Sequence, residues 1–154
     1  MTQHFTTKTN GYTLYLAQKS DKKAIMRFYK NQHYSASFMG YDHCYLLKDN
    51  NDDIIASVIV STLTERNTQA LLHALVVKAD HQGLGLAKTL LEHCIRQHAT
   101  IVCFAAPNLK TLYTKVGLSM LPDNQIEQHL NEVLSCRYRS YQKQQPLLNA
   151  FITC

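Results

Sequence analysis

Residues 76–91 read VVKADHQGLGLAKTLL. An apolar, β-branched run gives way to a short polar loop with two glycines and then to an amphipathic helical repeat. Gln82-Gly83-Leu84-Gly85-Leu86-Ala87 forms the loop and the helix start. A glycine-rich turn from a strand into a helix presents backbone N–H groups that have no partner within the helix. The helix dipole adds partial positive charge at the same point. Glycine lets a phosphate approach the main chain without a Cβ in the way. The loop therefore predicts a phosphate-bearing ligand.

Two common phosphate motifs do not fit. No G-x-x-x-x-G-K-[ST] spacing occurs. Gly83 and Gly85 supply G-x-G, but the third position of a G-x-G-x-x-G dinucleotide fingerprint holds Lys88, and the acidic partner is absent. The pattern that fits is [Q/R]-x-x-G-x-[G/A], met by Gln82, Gly85 and Ala87. It resembles the acyl-coenzyme A loop of the GCN5-related N-acetyltransferase (GNAT) superfamily. The resemblance implies that the backbone of residues 82–87 holds the CoA pyrophosphate.

A second match lies downstream. Residues 100–118 read TIVCFAAPNLKTLYTKVGL. Thr100 to Phe104 reads as a buried strand, and Pro107 suits a first helical turn. Leu109, Leu112, Tyr113 and Val116 recur at helical spacing before Gly117, a C′ residue by type. Tyr113, Gly117 and Leu118 resemble the superfamily's Y-x-x-x-G-[FL] signature, whose tyrosine protonates the departing CoA thiolate in many relatives. Those relatives often carry an asparagine seven residues before the tyrosine. That position is Ala106 here, and Asn108 sits two residues later.

A third element is Gln69 to Val77, QALLHALVV, a strand by composition. His73 to Val77 resembles the H-x-L-x-V strand of arylalkylamine N-acetyltransferases. Those relatives carry two histidines two residues apart that accept the amine proton through water. Leu71 replaces the first, leaving His73 as the candidate base. Regular alternation would put His73 and Leu75 on one face. By the resemblance, Leu75, Val76 and Val77 meet the pantetheine and acyl carbonyl, and Gln82, Gly83, Leu84, Gly85, Leu86, Ala87, Lys88 and Asn108 complete the CoA-binding set. Tyr113 and His73 are the catalytic candidates.

A chain of 154 residues predicts one domain, residues 1–154, with room for a full core. No apolar run approaches the roughly 20 residues of a membrane span, and the N-terminal segment lacks a signal-peptide layout. Cys44, Cys94, Cys103, Cys136 and Cys154 are scattered and form no C-x-x-C pair. They predict free, mostly buried thiols of a cytoplasmic protein and no metal site. A net charge of +5 suits a polyanionic ligand such as CoA, and would also suit tRNA or an acidic peptide. Lys19 with Lys22 and Lys23, and Arg137 with Arg139 and Lys143, read as solvated surface charge, so nucleic acid is not the expected partner. His33, His43, His81, His93 and His98 read as surface or structural residues.

Along the chain, Tyr12 to Gln18 alternates as a strand. Ser20 or Asp21 caps a helix over about 22–30, with Ala24, Ile25 and Phe28 at helical spacing. Cys44 to Leu47 and Ile54 to Thr64 form a hairpin about the Asn50–Asp53 turn. Leu86 to His98 is a helix burying Leu86, Leu90, Leu91, Cys94 and Ile95. Pro122-Asp123-Asn124 starts another, with Ile126, Leu130, Val133 and Leu134 on one face, continuing through Arg137 and Tyr141. Leu147 to Thr153 is the last strand.

The expected fold is α/β (α+β). It is the GNAT architecture: a mixed, mostly antiparallel sheet of six to seven strands, helices on both faces, and a splayed parallel fourth and fifth strand. The implied activity is direct transfer of an acetyl group from acetyl-CoA to a primary amine of a small molecule or peptide, by a monomer or homodimer. Tyr34, Phe38, Met39 and Tyr41 are the candidate acceptor lining, with Asp42 placed to orient a cationic amine. Rival readings are a toxin-like acetyltransferase acting on aminoacyl-tRNA and a non-catalytic acyl-CoA-binding module.

Overall fold

The computed structural model describes residues 7–9, 11–37, 42–63 and 68–153. Among these described residues, eight strands stand in the order β1-β2-β3-β4-β5-β6-β8-β7. They are β1 Thr7–Thr9, β2 Tyr12–Leu16, β3 His43–Lys48, β4 Ile54–Ser61, β5 Gln69–Val77, β6 Thr100–Ala105, β7 Leu118–Leu121 and β8 Asn149–Thr153. The helices are α1 Lys22–Asn31, α2 Leu86–Gln97, α3 Lys110–Lys115, α4 Ile126–His129 and α5 Glu132–Gln144. The sheet is the mixed, mostly antiparallel one expected. It has one strand more than the upper count, because β1 pairs with β2 at the edge. The fourth and fifth strands of the expectation are thus β5 and β6.

The chain divides into two compact units. One comprises Met1–Ser61 with Ala74–Leu91, the other Thr62–His73 with Glu92–Cys154. In the first, β2, β3 and β4 pair antiparallel, in register from Thr13↔Lys48 to Leu16↔Tyr45 and from His43↔Val60 to Leu47↔Ala56, with a register shift before Lys48↔Ile54. The β3–β4 turn forms because Asp49 collects it. Its Oδ1 accepts from the Asn51 and Asp53 amides at 2.9 and 3.0 Å. Asp52 takes a left-handed φ of 66°, which aspartate tolerates better than most residues. Helix α1 buries Ile25, Phe28 and Tyr29 against Cys44, Leu46, Ile59 and Ala74. Ala24, expected on the buried stripe, is exposed. Tyr29 takes that place, since i+4 from Ile25 is the better-facing position.

In the second unit β5 and β6 run parallel, and their register extends from Gln69↔Thr100 to Leu72↔Cys103 and ends there. Strand β6 continues to Ala105 against β8, which also pairs with β7. Leu71, Val102, Ile126, Leu130, Leu134, Tyr138 and Ala150 form the core. Here the single helix expected from Pro122 onward is two. α4 ends where Leu130 turns extended (ψ 146°), and Asn131 starts α5 by accepting the Leu134 amide at 2.8 Å. Gln69 fastens this break from β5, donating to the His129 carbonyl at 2.7 Å and accepting the Asn131 amide at 2.8 Å. Val133 is 39% exposed rather than on the buried face, because Leu134, one residue and about 100° further round the helix, takes the buried position.

Candidate functional site

The loop before α2 is built by β5 and a single turn of tighter helix over Ala79–His81. Three contacts within the first unit hold it. The Lys78 amide donates to Ile55 of β4 at 2.8 Å. The Ala79 amide donates to the Gln32 side chain just beyond α1 at 3.2 Å. Gln82 Nε2 reaches back to the Val77 carbonyl at 3.3 Å. The bond from His81 Nδ1 to Asp80, at 2.6 Å, holds the Asp80 carboxyl below its ordinary value.

Gly83 and Gly85 adopt φ of 81° and 79°, a region costly for any residue with a Cβ. Nothing lies within 4 Å of where a Cβ would stand on either. The loop's open side is therefore clear of protein, and residues 82–85 are exposed. The Gly85 carbonyl accepts both the Thr89 amide and the Thr89 hydroxyl, each at 3.1 Å. That fixes the first turn of α2, whose leading N–H groups have no helical carbonyl before them. This is a cradle with the shape and polarity for a phosphate group.

Strand β5 carries the feature that sequence reading missed. Ala74 has φ 54°, a left-handed residue inside a strand. The backbone departs there from regular extended geometry, so alternation alone does not put His73 and Leu75 on one face. Ala74 is buried, while His73, Leu75, Val76 and Val77 are partly buried. Tyr29 Oη lies 2.7 Å from the Ala74 carbonyl and 2.8 Å from Ser57 Oγ, and Cys44 Sγ lies 3.3 Å from that serine. Burial pushes the Tyr29 phenol above its ordinary value, with nearby Cys44 adding to the rise. Burial likewise pushes the Cys44 thiol up to about 12. No sequence signal marks this group. Tyr29 reads as one more aromatic on a helix, and an alanine gives no sign of positive φ.

In the second unit, Gly117 takes φ 103° and ends the α3 segment, as its type predicts. Tyr113 is 5% exposed, its ring 5.3 Å from Phe151. Asn108 is exposed. Tyr34 is 42% exposed and stacks at a tilt on Tyr29, ring centres 5.7 Å apart. Phe38, Met39 and Tyr41 lie outside the described residues. Among the described residues no group of three or more histidine, cysteine or acidic side chains is placed to hold a metal. Nor is any described helix long and apolar enough to cross a membrane.

Residues 15–133 match the acetyltransferase (GNAT) domain family. The chain belongs to that family. No curated protein matches this GNAT chain. Among solved structures it is similar to N-acetylglutamate synthase from Neisseria gonorrhoeae, complexed with coenzyme A and N-acetyl-glutamate. The TM-score is 0.69 at 14% identity, covering 95% of this chain and 35% of the synthase. It is also similar to a point mutant of the spermidine N-acetyltransferase SpeG from Vibrio cholerae, with TM-score 0.62, 14% identity and 94% of each chain covered. The Vibrio cholerae spermidine enzyme in complex with CoA and spermine matches with TM-score 0.57 at 16% identity, over 74% of this chain and 84% of that one. These likenesses establish the GNAT fold.

Proposed function

We propose that this GNAT domain is an acetyl-CoA-dependent N-acetyltransferase that moves the acetyl group directly to a primary amine of a small molecule or peptide. The observation that carries the reading is the loop at the start of α2. Its two glycines hold positive φ with clear space on the open side, where the family's CoA motif places the pyrophosphate. The similar solved enzymes are described with CoA, spermine and N-acetyl-glutamate, which favours a compact amine as acceptor. On this reading residues 1–154 act as one domain in the cytoplasm.

The chemistry follows from the thioester. The attacking amine must be neutral, so a base accepts its proton, the role given to His73. A backbone N–H of β5, at Leu75 or Val77, polarises the thioester carbonyl as negative charge develops on oxygen. The C–S bond breaks as the C–N bond forms, and Tyr113 delivers a proton to the thiolate. Holding thioester and amine together supplies much of the rate.

The test is a panel of amines, amino acids and peptides incubated with acetyl-CoA, reading release of free thiol, alongside calorimetry with CoA. Micromolar CoA binding with thiol release on at least one amine is expected. Absence of CoA binding would overturn the reading. CoA binding without release on any member of a broad panel would leave an acyl-CoA-binding module instead.

A further inference from the structure

The buried hydroxyl of Tyr29 touches no surface, yet it holds the one strained peptide of β5. The peptide bond joining Ala74 to Leu75 is planar and trans, so its C=O and N–H point in opposite directions. Fixing one end fixes the other. The proton count gives the direction of the chain of hydroxyls. The Ala74 carbonyl only accepts, and a phenol has a single proton, so Tyr29 donates to Ala74 at 2.7 Å. Ser57, 2.8 Å away, then donates to Tyr29. The Cys44 thiol, at 3.3 Å, donates to Ser57. All three side chains are buried, and burial keeps both the thiol and the phenol protonated. Bonds arranged head to tail in a low-dielectric interior polarise one another. A carbonyl that accepts such a bond makes the N–H of its own peptide a better donor.

The edge of β5 reached by that N–H is also fixed. Lys78 donates toward β4 through Ile55. Along an extended strand successive N–H groups alternate between edges, so Val76 shares the β4 edge while Leu75 and Val77 face the other. We propose that Tyr29, backed by Ser57 and Cys44, is a positioning residue that locks the Ala74–Leu75 peptide so that the Leu75 N–H is presented, already oriented and polarised, to the thioester carbonyl. This rests on the acetyl-CoA reading above and adds to it the device that sets its carbonyl-polarising donor. Preorganisation is where such a donor gains its effect, because it need not reorient as charge develops. Without the phenol, Ala74 has little reason to keep φ 54°, since an alanine prefers the right-handed or extended regions.

The experiment uses acetyl-CoA labelled with ¹³C at the acetyl carbonyl and isotope-edited infrared spectroscopy of the bound thioester. In the wild-type protein the bound carbonyl band is expected below its frequency in free acetyl-CoA. In Tyr29→Phe that downshift should be lost, while calorimetry finds the CoA dissociation constant within about twofold of wild type. Ser57→Ala leaves the phenol in place and removes only the proton it accepts, so the band should return part of the way. An unmoved band in Tyr29→Phe would overturn the assignment. Should Tyr29→Phe not fold, an unmoved band in Ser57→Ala overturns it, and a partial return supports it. Failure of the wild type to bind acetyl-CoA would remove the acetyltransferase reading itself. Binding without any downshift would remove only the role of Leu75 and Tyr29.

Discussion

Three residues test the chemistry one at a time. Gly85 stands at φ 79° with open space around it. Gly85→Val would bring a β-branched residue into a backbone region costing roughly 1–2 kcal/mol and would put methyl groups where the pyrophosphate approaches. The folded variant is expected to bind CoA at least tenfold more weakly by calorimetry, and unchanged affinity would remove the loop from the ligand. In the proposed mechanism Tyr113 acts only as the thiolate leaves. Tyr113→Phe should therefore lower turnover at saturating substrates about 10²-fold, the usual share of a general acid, with CoA affinity nearly constant. Stopped-flow thiol detection separates the two. His73 is tested by pH. An imidazole base must be neutral to accept the amine proton, and imidazole titrates near about 6.5 in model peptides. Turnover should fall on the acid side in the wild type, and in His73→Ala that limb should move or vanish with a lower plateau. An unmoved acid limb with only a lower melting temperature would make His73 a structural residue.

At the scale of elements, legibility in the sequence followed how local the information is. Strand β5 is found at Gln69–Val77, the span its apolar run predicts, because composition alone defines a buried strand. The residues of β7, LSML, give four positions with exposed Ser119 and Met120 in the middle. That is too short and too mixed for a period to emerge, and its existence depends on β8 beside it. The α4–α5 break was hidden for the opposite reason. Ile126, Leu130 and Leu134 keep a spacing of four straight across it, and only the asparagine cap at 131 and its tie to Gln69 reveal it. Arg139 binds the pieces together, donating to Asp123 Oδ1 at 2.6 Å and to Glu127 at 2.8 and 3.0 Å. Gln142 and Arg139 hold the Asp123 carboxyl below the ordinary range, and Arg139 does the same for Glu127. A carboxyl held low in the folded state contributes stability above its unfolded pKa, near about 4, and loses that contribution as pH falls through the folded value. Arg139→Gln should thus melt lower than wild type at pH 7, and the gap should close as the solution is acidified below the carboxylate range. Because these carboxylates are exposed, the gap itself should be small and should shrink with salt. A gap that persists in acid would assign the loss to packing of the arginine stem.

At the scale of the whole molecule, the path of the chain constrains how it unfolds. It passes from one compact unit to the other three times, at Ser61/Thr62, His73/Ala74 and Leu91/Glu92. The second crossing falls inside β5 and the third inside α2. Neither unit therefore owns a complete β5 or α2, and melting one would interrupt a strand and a helix in mid-run. Such a chain is expected to unfold in one cooperative transition, with far-ultraviolet circular dichroism and tyrosine fluorescence giving coincident curves. A ligand that binds only the folded state then stabilises everything at once. At a free concentration about 100 times the dissociation constant, acetyl-CoA should add about 2.7 kcal/mol. That corresponds to a rise in melting temperature of roughly 5–11 °C for a chain of this size. Both probes should move together, although the phosphate cradle lies wholly in the first unit. Two resolved transitions, with acetyl-CoA shifting only one, would show that the cradle belongs to a separately folding piece.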